Sequence, residues 1–117
     1  MRIVIADDAP ALRAVLRRLL ERTGHDVVGE ADDEATLAAA VRALLPDAVI
    51  IDGRLPPSGA PATIVLLRSG TPLLAIYVIA ALRETAVVKA ATAAGASGAI
   101  LRPFLATQIA AALEGAR

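Results

Sequence analysis

The chain has 117 residues, 56% of them hydrophobic, and its twelve basic residues balance twelve acidic ones. That length fits one domain over residues 1–117 with a packed core, and the composition excludes disorder. A net charge of zero gives no electrostatic footprint for nucleic acid or a membrane surface, and the absence of cysteine removes disulfides, thiolate nucleophiles and zinc–sulfur sites.

Strand and helix patterns alternate five times. The first strand is Arg2–Ala6, an apolar run that ends in Asp7 and Asp8. A helix is predicted from Pro10 to Arg22, with Leu12, Val15, Leu16 and Leu19 at helical spacing, Pro10 suited to a first turn and Gly24 beyond the end. Val27–Glu30 reads as the second strand. The second helix is predicted over Asp33–Leu45, with Leu37, Val41 and Leu44 as its stripe and Pro46 as its stop. Ala48–Ile51 is the third strand, and Asp52 follows it directly. The third helix is predicted over Pro61–Arg68, short because the room between Gly59 and Thr71 is limited. Leu73–Ile79 is the fourth strand, Glu84–Ala94 the fourth helix, Gly98–Leu101 the fifth strand and Leu105–Glu114 the fifth helix. Leu105 is a poor N-cap, so that helix is expected to fray at its start. Continuous apolar, β-branched strands separated by helices argue a doubly wound five-stranded parallel α/β sheet, flavodoxin-like, with helices on both faces.

The sequence begins directly with a strand pattern, so no signal peptide is expected, and no apolar run approaches the ~18 residues of a membrane span. A cytoplasmic location follows as the expectation. No linker, repeat or attached DNA-binding or catalytic module is visible.

In an open parallel sheet, ligands bind outside the carboxyl ends of the strands. Asp7, Asp8 and Asp52 all fall there. Three carboxylates make an oxygen-rich site suited to a hard divalent cation such as Mg²⁺, with one carboxylate left as a nucleophile. An Asp-Asp pair alone would more simply be a solvated turn capping a helix. Asp52 on the same sheet edge favours the site.

The order and spacing of Ile5-Ala6-Asp7-Asp8, the stretch from Asp52 to Gly59 and the stretch from Ala94 to Phe104 resemble the response-regulator receiver domain, the CheY-like fold. Val28-Gly29-Glu30-Ala31 and Pro46-Asp47 also resemble it. The resemblance covers essentially the whole chain. It implies that Asp7 and Asp8 hold Mg²⁺ with Asp52 and the backbone carbonyl of Arg54. It implies that Asp52 accepts a phosphoryl group from a histidine kinase or phosphotransfer protein. Phosphoryl transfer is largely positioning plus charge neutralisation, so a carboxylate nucleophile among carboxylates needs a cation.

Three positions depart from the family pattern. The family's Ser or Thr at the end of the fourth strand falls on Ala80 when counted back from Ala94-Gly95, and on Tyr77 when counted forward from Thr71-Pro72. Ala80 is favoured, and neither residue is a Ser or Thr. The family Lys before the Pro is Arg102, which either locks Asp52 or the acidic pair in a salt bridge or reflects the Arg bias of the chain. Eleven of its twelve basic residues are Arg, and Lys89 is the lysine. The expected switch aromatic is Ala99.

The remaining signals are blander. His25 reads as a surface loop residue. Arg13 and Arg17, with Arg18 and Arg22, read as a solvated helix face or as the face a kinase would meet. The turn Pro56-Pro57-Ser58-Gly59 shapes the loop after Asp52. No phosphate-binding glycine loop, zinc-hydrolase motif or Ser/His/Asp set is present. Two functions compete. One is an atypical, Mg²⁺-dependent receiver in a phosphorelay, enzymatic at most in self-phosphorylation and slow autodephosphorylation. The other is a phosphorylation-independent module that dimerises or binds a partner through its fourth and fifth helices. A small flavodoxin-like phosphate enzyme is a third, weaker reading, because nothing supplies substrate specificity.

Overall fold

The computed structural model describes residues 1–102 and 111–114. The order of elements is β1 (Arg2–Ala6), α1 (Pro10–Arg22), β2 (Asp26–Ala31), α2 (Glu34–Leu44), β3 (Ala48–Asp52), α3 (Ala60–Gly70), β4 (Ala75–Ala81), α4 (Thr85–Ala94) and β5 (Gly98–Arg102). Residues 111–114 are helical and fall inside the expected fifth helix. Its start, with the expected fraying at Leu105, lies outside the described residues, as do Pro103 and Phe104.

All strand pairs are parallel, in the order β2-β1-β3-β4-β5. Reversal of the winding direction beside β1 and β3 places the ligand-binding crevice at the carboxyl ends of those two strands, where Asp7 and Asp52 lie. Strand side chains alternate between two cores. Ile3, Ile5, Ile50, Tyr77 and Ile79 meet Leu16 and Leu20 of α1, together with Leu113. Val4, Val49, Ile51, Ile76 and Val78 meet Leu37 and Val41 of α2, Ile64 and Leu67 of α3, and Ala91 of α4. Burial on both faces is why these strands read as unbroken apolar runs.

Two expectations are corrected. The third helix is not cut short: it runs for eleven residues, Ala60–Gly70, because Gly59 and Ala60 already begin it and Ser69 and Gly70 extend it. The fourth strand starts and ends two residues later than Leu73–Ile79. Leu73 is 97% exposed, and Leu74 donates its N–H back to Thr71 O at 3.2 Å, so the apolar run opens with a turn. α2 ends at Leu45, which takes a left-handed φ of 48° that closes the helix ahead of Pro46.

Arg68 holds the amino-terminal end of the sheet together. Its guanidinium donates to the carbonyls of Gly95 (2.9 Å), Thr71 (3.4 Å), Pro72 (3.2 Å) and Leu74, and to Ser97 Oγ (3.3 Å). One side chain thus satisfies the loops leading into β4 and β5.

Candidate functional site

β1 and β3 run side by side, with Ala6 opposite Ile51, so the residues that follow them converge. One carboxylate oxygen from each of Asp7, Asp8 and Asp52 lies within 4.8 Å of the others. Asp7 and Asp52 are buried, and Asp8 is exposed. The helix-capping alternative fails for this pair: the N-cap of α1 is Ala9, and Asp7 turns inward, accepting the Ala9 N–H at Oδ1 (2.8 Å). Its other oxygen, Oδ2, is buried without a hydrogen-bond partner.

Asp52, at the end of β3, faces Arg102, at the end of β5, across β4. Arg102 Nη2 donates to Asp52 Oδ1 at 2.9 Å, with the Asp52 side chain 8% and the Arg102 side chain 35% exposed. The salt bridge expected in one reading of Arg102 is formed, and its partner is Asp52. Burial pushes the carboxyls of both Asp7 and Asp52 above the usual range; for Asp52, repulsion by Asp7 adds to this, and Arg102 pulls both back down.

β4 completes the wall. Ile79 is opposite Asp52, Ala80 is opposite Leu101, and Ala81 is opposite Arg102. Ala80 therefore stands at the carboxyl end of β4, fully buried, one residue beyond the neighbour of Asp52. Tyr77 sits mid-strand opposite Ile50, in the other core. Ala99 is opposite Val78 on β5 and packs into the α2–α4 side.

Gly53 lets the chain leave β3 in close contact with β4. Its N–H bonds to Ile79 O at 2.9 Å, and a Cβ there would meet Val87 Cγ1 at 2.6 Å and Ile79 O at 3.2 Å. Arg54 then reaches across the mouth to Glu84 (Nε to Oε2, 2.9 Å), while Glu84 Oε1 accepts the Ala81 N–H at 2.7 Å. That backbone bond, then Arg54, holds the Glu84 carboxyl below its ordinary range. The result is an open cleft of about 350 Å³ lined by Asp8, Asp52, Arg54, Ala81, Arg83, Glu84 and Arg102.

Sequence reasoning missed the Arg54–Glu84 bridge, because residues 30 apart on exposed loops give no periodic signal. It also did not foresee the ion pairs of Arg13 and Arg17, read as a solvated helix face or as the face a kinase would meet. Both pair with Glu30 of β2 at 3.0 and 2.9 Å, and Arg13 also donates to the Asp7 carbonyl. His25 is half-buried, its Nδ1 3.0 Å from the amino terminus, and not a plain surface residue.

Comparison with known proteins agrees with this geometry. The family model of the response regulator receiver domain matches residues 3–114. NarL of Mycobacterium tuberculosis is 34% identical over 110 residues, covering 93% of this chain and 51% of that protein, so the chain spans about half its length. The chemotaxis protein CheY of Thermotoga maritima is 30% identical over 113 residues, 97% of this chain and 94% of that one. The solved signal receiver domain of M. tuberculosis NarL superposes with a TM-score of 0.88 at 35% identity, covering 98% of this chain and 94% of that one. The chain belongs to the response regulator receiver domain family, whose members act in two-component signalling.

Proposed function

We propose that this receiver accepts a phosphoryl group on Asp52, with Mg²⁺ held by Asp7, Asp8, Asp52 and the Arg54 carbonyl. The observation that carries the reading is the convergence of three carboxylates within 4.8 Å, two of them buried. The donor set is all oxygen, and Asp7 Oδ2 is buried without a partner. Both suit a hard cation. When bound, that cation would neutralise charge on the carboxylates and the incoming phosphoryl oxygens.

The chain's own residues supply the rest. β3 ends in Asp52, and Gly53 is bonded to Ile79, so the carboxylate is fixed in place. Arg102 engages Oδ1 and leaves Oδ2 as the attacking oxygen. Asp52 Oδ2 bonds to phosphorus as the bond from phosphorus to the donor's leaving atom breaks, giving an acyl phosphate. The Arg102 guanidinium meets the oxyanions of the product, a planar fork where the family has an ammonium. Ala80 offers them no hydroxyl. The partner is a histidine kinase or phosphotransfer protein, and the setting is the cytoplasm. No helix among the described residues is long and apolar enough to cross a membrane.

The test is intact-mass measurement after incubation with Mg²⁺ and a small phosphodonor. Wild type gains one phosphoryl group and Asp52→Asn gains none; equal labelling of the two overturns the assignment. A second reading draws on the Arg102–Asp52 bridge, which already engages one oxygen of the acceptor. In it the domain works without phosphorylation, through α4 and the expected fifth helix as an interaction or dimer surface. Absence of any mass gain in wild type favours that reading.

A further inference from the structure

The outer surface formed by α2 and α3 carries little charge. Five positions of α2 and five of α3 are exposed, and Arg42 is the charged one among them. On α1, by contrast, Arg18, Glu21 and Arg22 all face solvent. Val65 and Leu66 of α3 are 59% and 52% exposed, and at the foot of the same surface Leu45 is 70% and Leu73 97% exposed. Large apolar side chains grouped in this way mark an interaction surface.

The surface also has relief. A cleft of about 350 Å³ runs between α2 and α3 past Leu66, Leu67 and Gly70. A second, of about 370 Å³, lies at the amino-terminal edge of the sheet between Leu45 and Leu73. The two clefts have Val41 and Thr71 in common and so adjoin along one groove-like surface. Leu73 stands on the wall of the groove as a fully exposed projection.

We propose that this groove is a self-association surface and that its occupant is a second copy of this chain in two-fold arrangement. An isologous interface needs one patch that is complementary to itself. Here a projection, Leu73, stands on the wall of a hollow of about 370 Å³. A cation, Arg42, lines the α2–α3 part of the groove, and an acid, Asp47, lines the lower part. Neither is in a salt bridge among the described residues. Asp47 is held in place by the Arg2 N–H on Oδ2 (2.8 Å), while Arg2 itself is tied to Leu45 O (2.9 Å). In the two-fold pair, Leu73 of each copy enters the groove of the other, and Arg42 of each meets Asp47 of the other.

Asp47 precedes β3 and Leu74 precedes β4, so the groove lies at the end of the sheet opposite Asp52. Association leaves the aspartate cleft open, and the proposal stands whether or not Asp52 is phosphorylated. It also uses a surface other than the α4 side.

Sedimentation equilibrium tests it, over protein concentrations from about 1 μM to about 1 mM, the range in which weak specific pairs assemble. Wild type is expected to show a reversible doubling of mass. Leu73→Glu, at a side chain with no packing to lose, is expected to weaken association at least tenfold while leaving the thermal melt at low concentration unchanged. Arg42→Glu and Asp47→Arg are each expected to weaken it, and an equimolar mixture of the two to restore it as a heterodimer. A wild type that remains monomeric throughout the range overturns the proposal. So does a dimer that Leu73→Glu leaves intact, which would place the interface elsewhere. Failure of the charge-reversed mixture to reassociate overturns the two-fold pairing.

Discussion

Replacing Arg102 with Met removes the cation paired with Asp52 from a site that holds three carboxylates. The cost follows from the geometry. Breaking a buried ion pair by deleting one partner costs roughly 3–5 kcal/mol, because the remaining charge is left uncompensated. Asp52 is nearly enclosed, but a third of the Arg102 side chain is open to water, and solvent screening reduces the figure to about 1–3 kcal/mol. For a domain of this size that is a drop in Tm of roughly 5–15 °C. The pH dependence identifies the cause. Asp7 and Asp52 both titrate above the ordinary 3.8, first because they are buried, and Arg102 opposes the rise. An acid raised in the folded state stabilises the fold below its unfolded value, and that stability is lost as pH climbs through the folded value. The stability that Asp7 and Asp52 contribute is therefore lost as pH rises from below 3.8 through their elevated range, opposite in sign to the contribution of Glu84, whose carboxyl is held low. Arg102→Met pushes both groups higher and loses more over a wider window. The difference between the two proteins vanishes at acidic pH, where the carboxyls are neutral, and is largest at neutral pH. Thermal melts followed by circular dichroism in chelator, from about pH 3 to about pH 8, read this out. Added Mg²⁺ should raise the Tm of the variant more than that of wild type. A deficit independent of pH, or no deficit at pH 7, would refute the reasoning.

Arg68→Met leaves several carbonyls at the foot of the sheet without a donor, and should cost about 2–3 kcal/mol in urea denaturation, since charged hydrogen bonds carry more than neutral ones. Leu45→Gly should stabilise by up to about 1 kcal/mol, because glycine takes the left-handed φ of 48° without strain; a lower Tm at low protein concentration would contradict this. Beryllofluoride with Mg²⁺ should produce a muted backbone NMR response across residues 82–102, since neither a hydroxyl at Ala80 nor a ring at Ala99 is available to move. Ala80→Thr combined with Arg102→Lys should enlarge that response beyond either change alone, and large wild-type shifts through α4 would show a different switching route.

The sheet was legible because its central strands β1, β3 and β4 are buried on two faces and carry their signal in composition alone. β1 and α1 were placed to the residue, the second by Pro10 at its start and Gly24 beyond its end. Ambiguity entered at Pro72–Leu82, where apolar residues run on without punctuation. The chain spends Leu73 on the surface and Leu74 in a turn before β4 begins, and no local pattern distinguishes an exposed leucine from a buried one. Counting forward from Thr71-Pro72 takes no account of that turn, and so it fell three residues short, on Tyr77 instead of Ala80. Asp7, Asp8 and Asp52 were legible as a cluster because strand ends in a parallel sheet meet at one edge. The partners that hold the site, Glu84 for Arg54 and Glu30 for Arg13 and Arg17, were not. They join a helix to a strand and one loop to another, and only the packed fold brings them within reach.

The central claim is that Asp52, and no other of the three carboxylates, becomes the acyl phosphate. Borohydride reduces an aspartyl phosphate to homoserine and leaves free carboxylates untouched. Wild-type protein treated with Mg²⁺ and a small phosphodonor, reduced and mapped by peptide mass spectrometry, should carry homoserine at position 52 alone. Homoserine at Asp7 or Asp8, or no homoserine anywhere under conditions that label a standard receiver, would contradict the account.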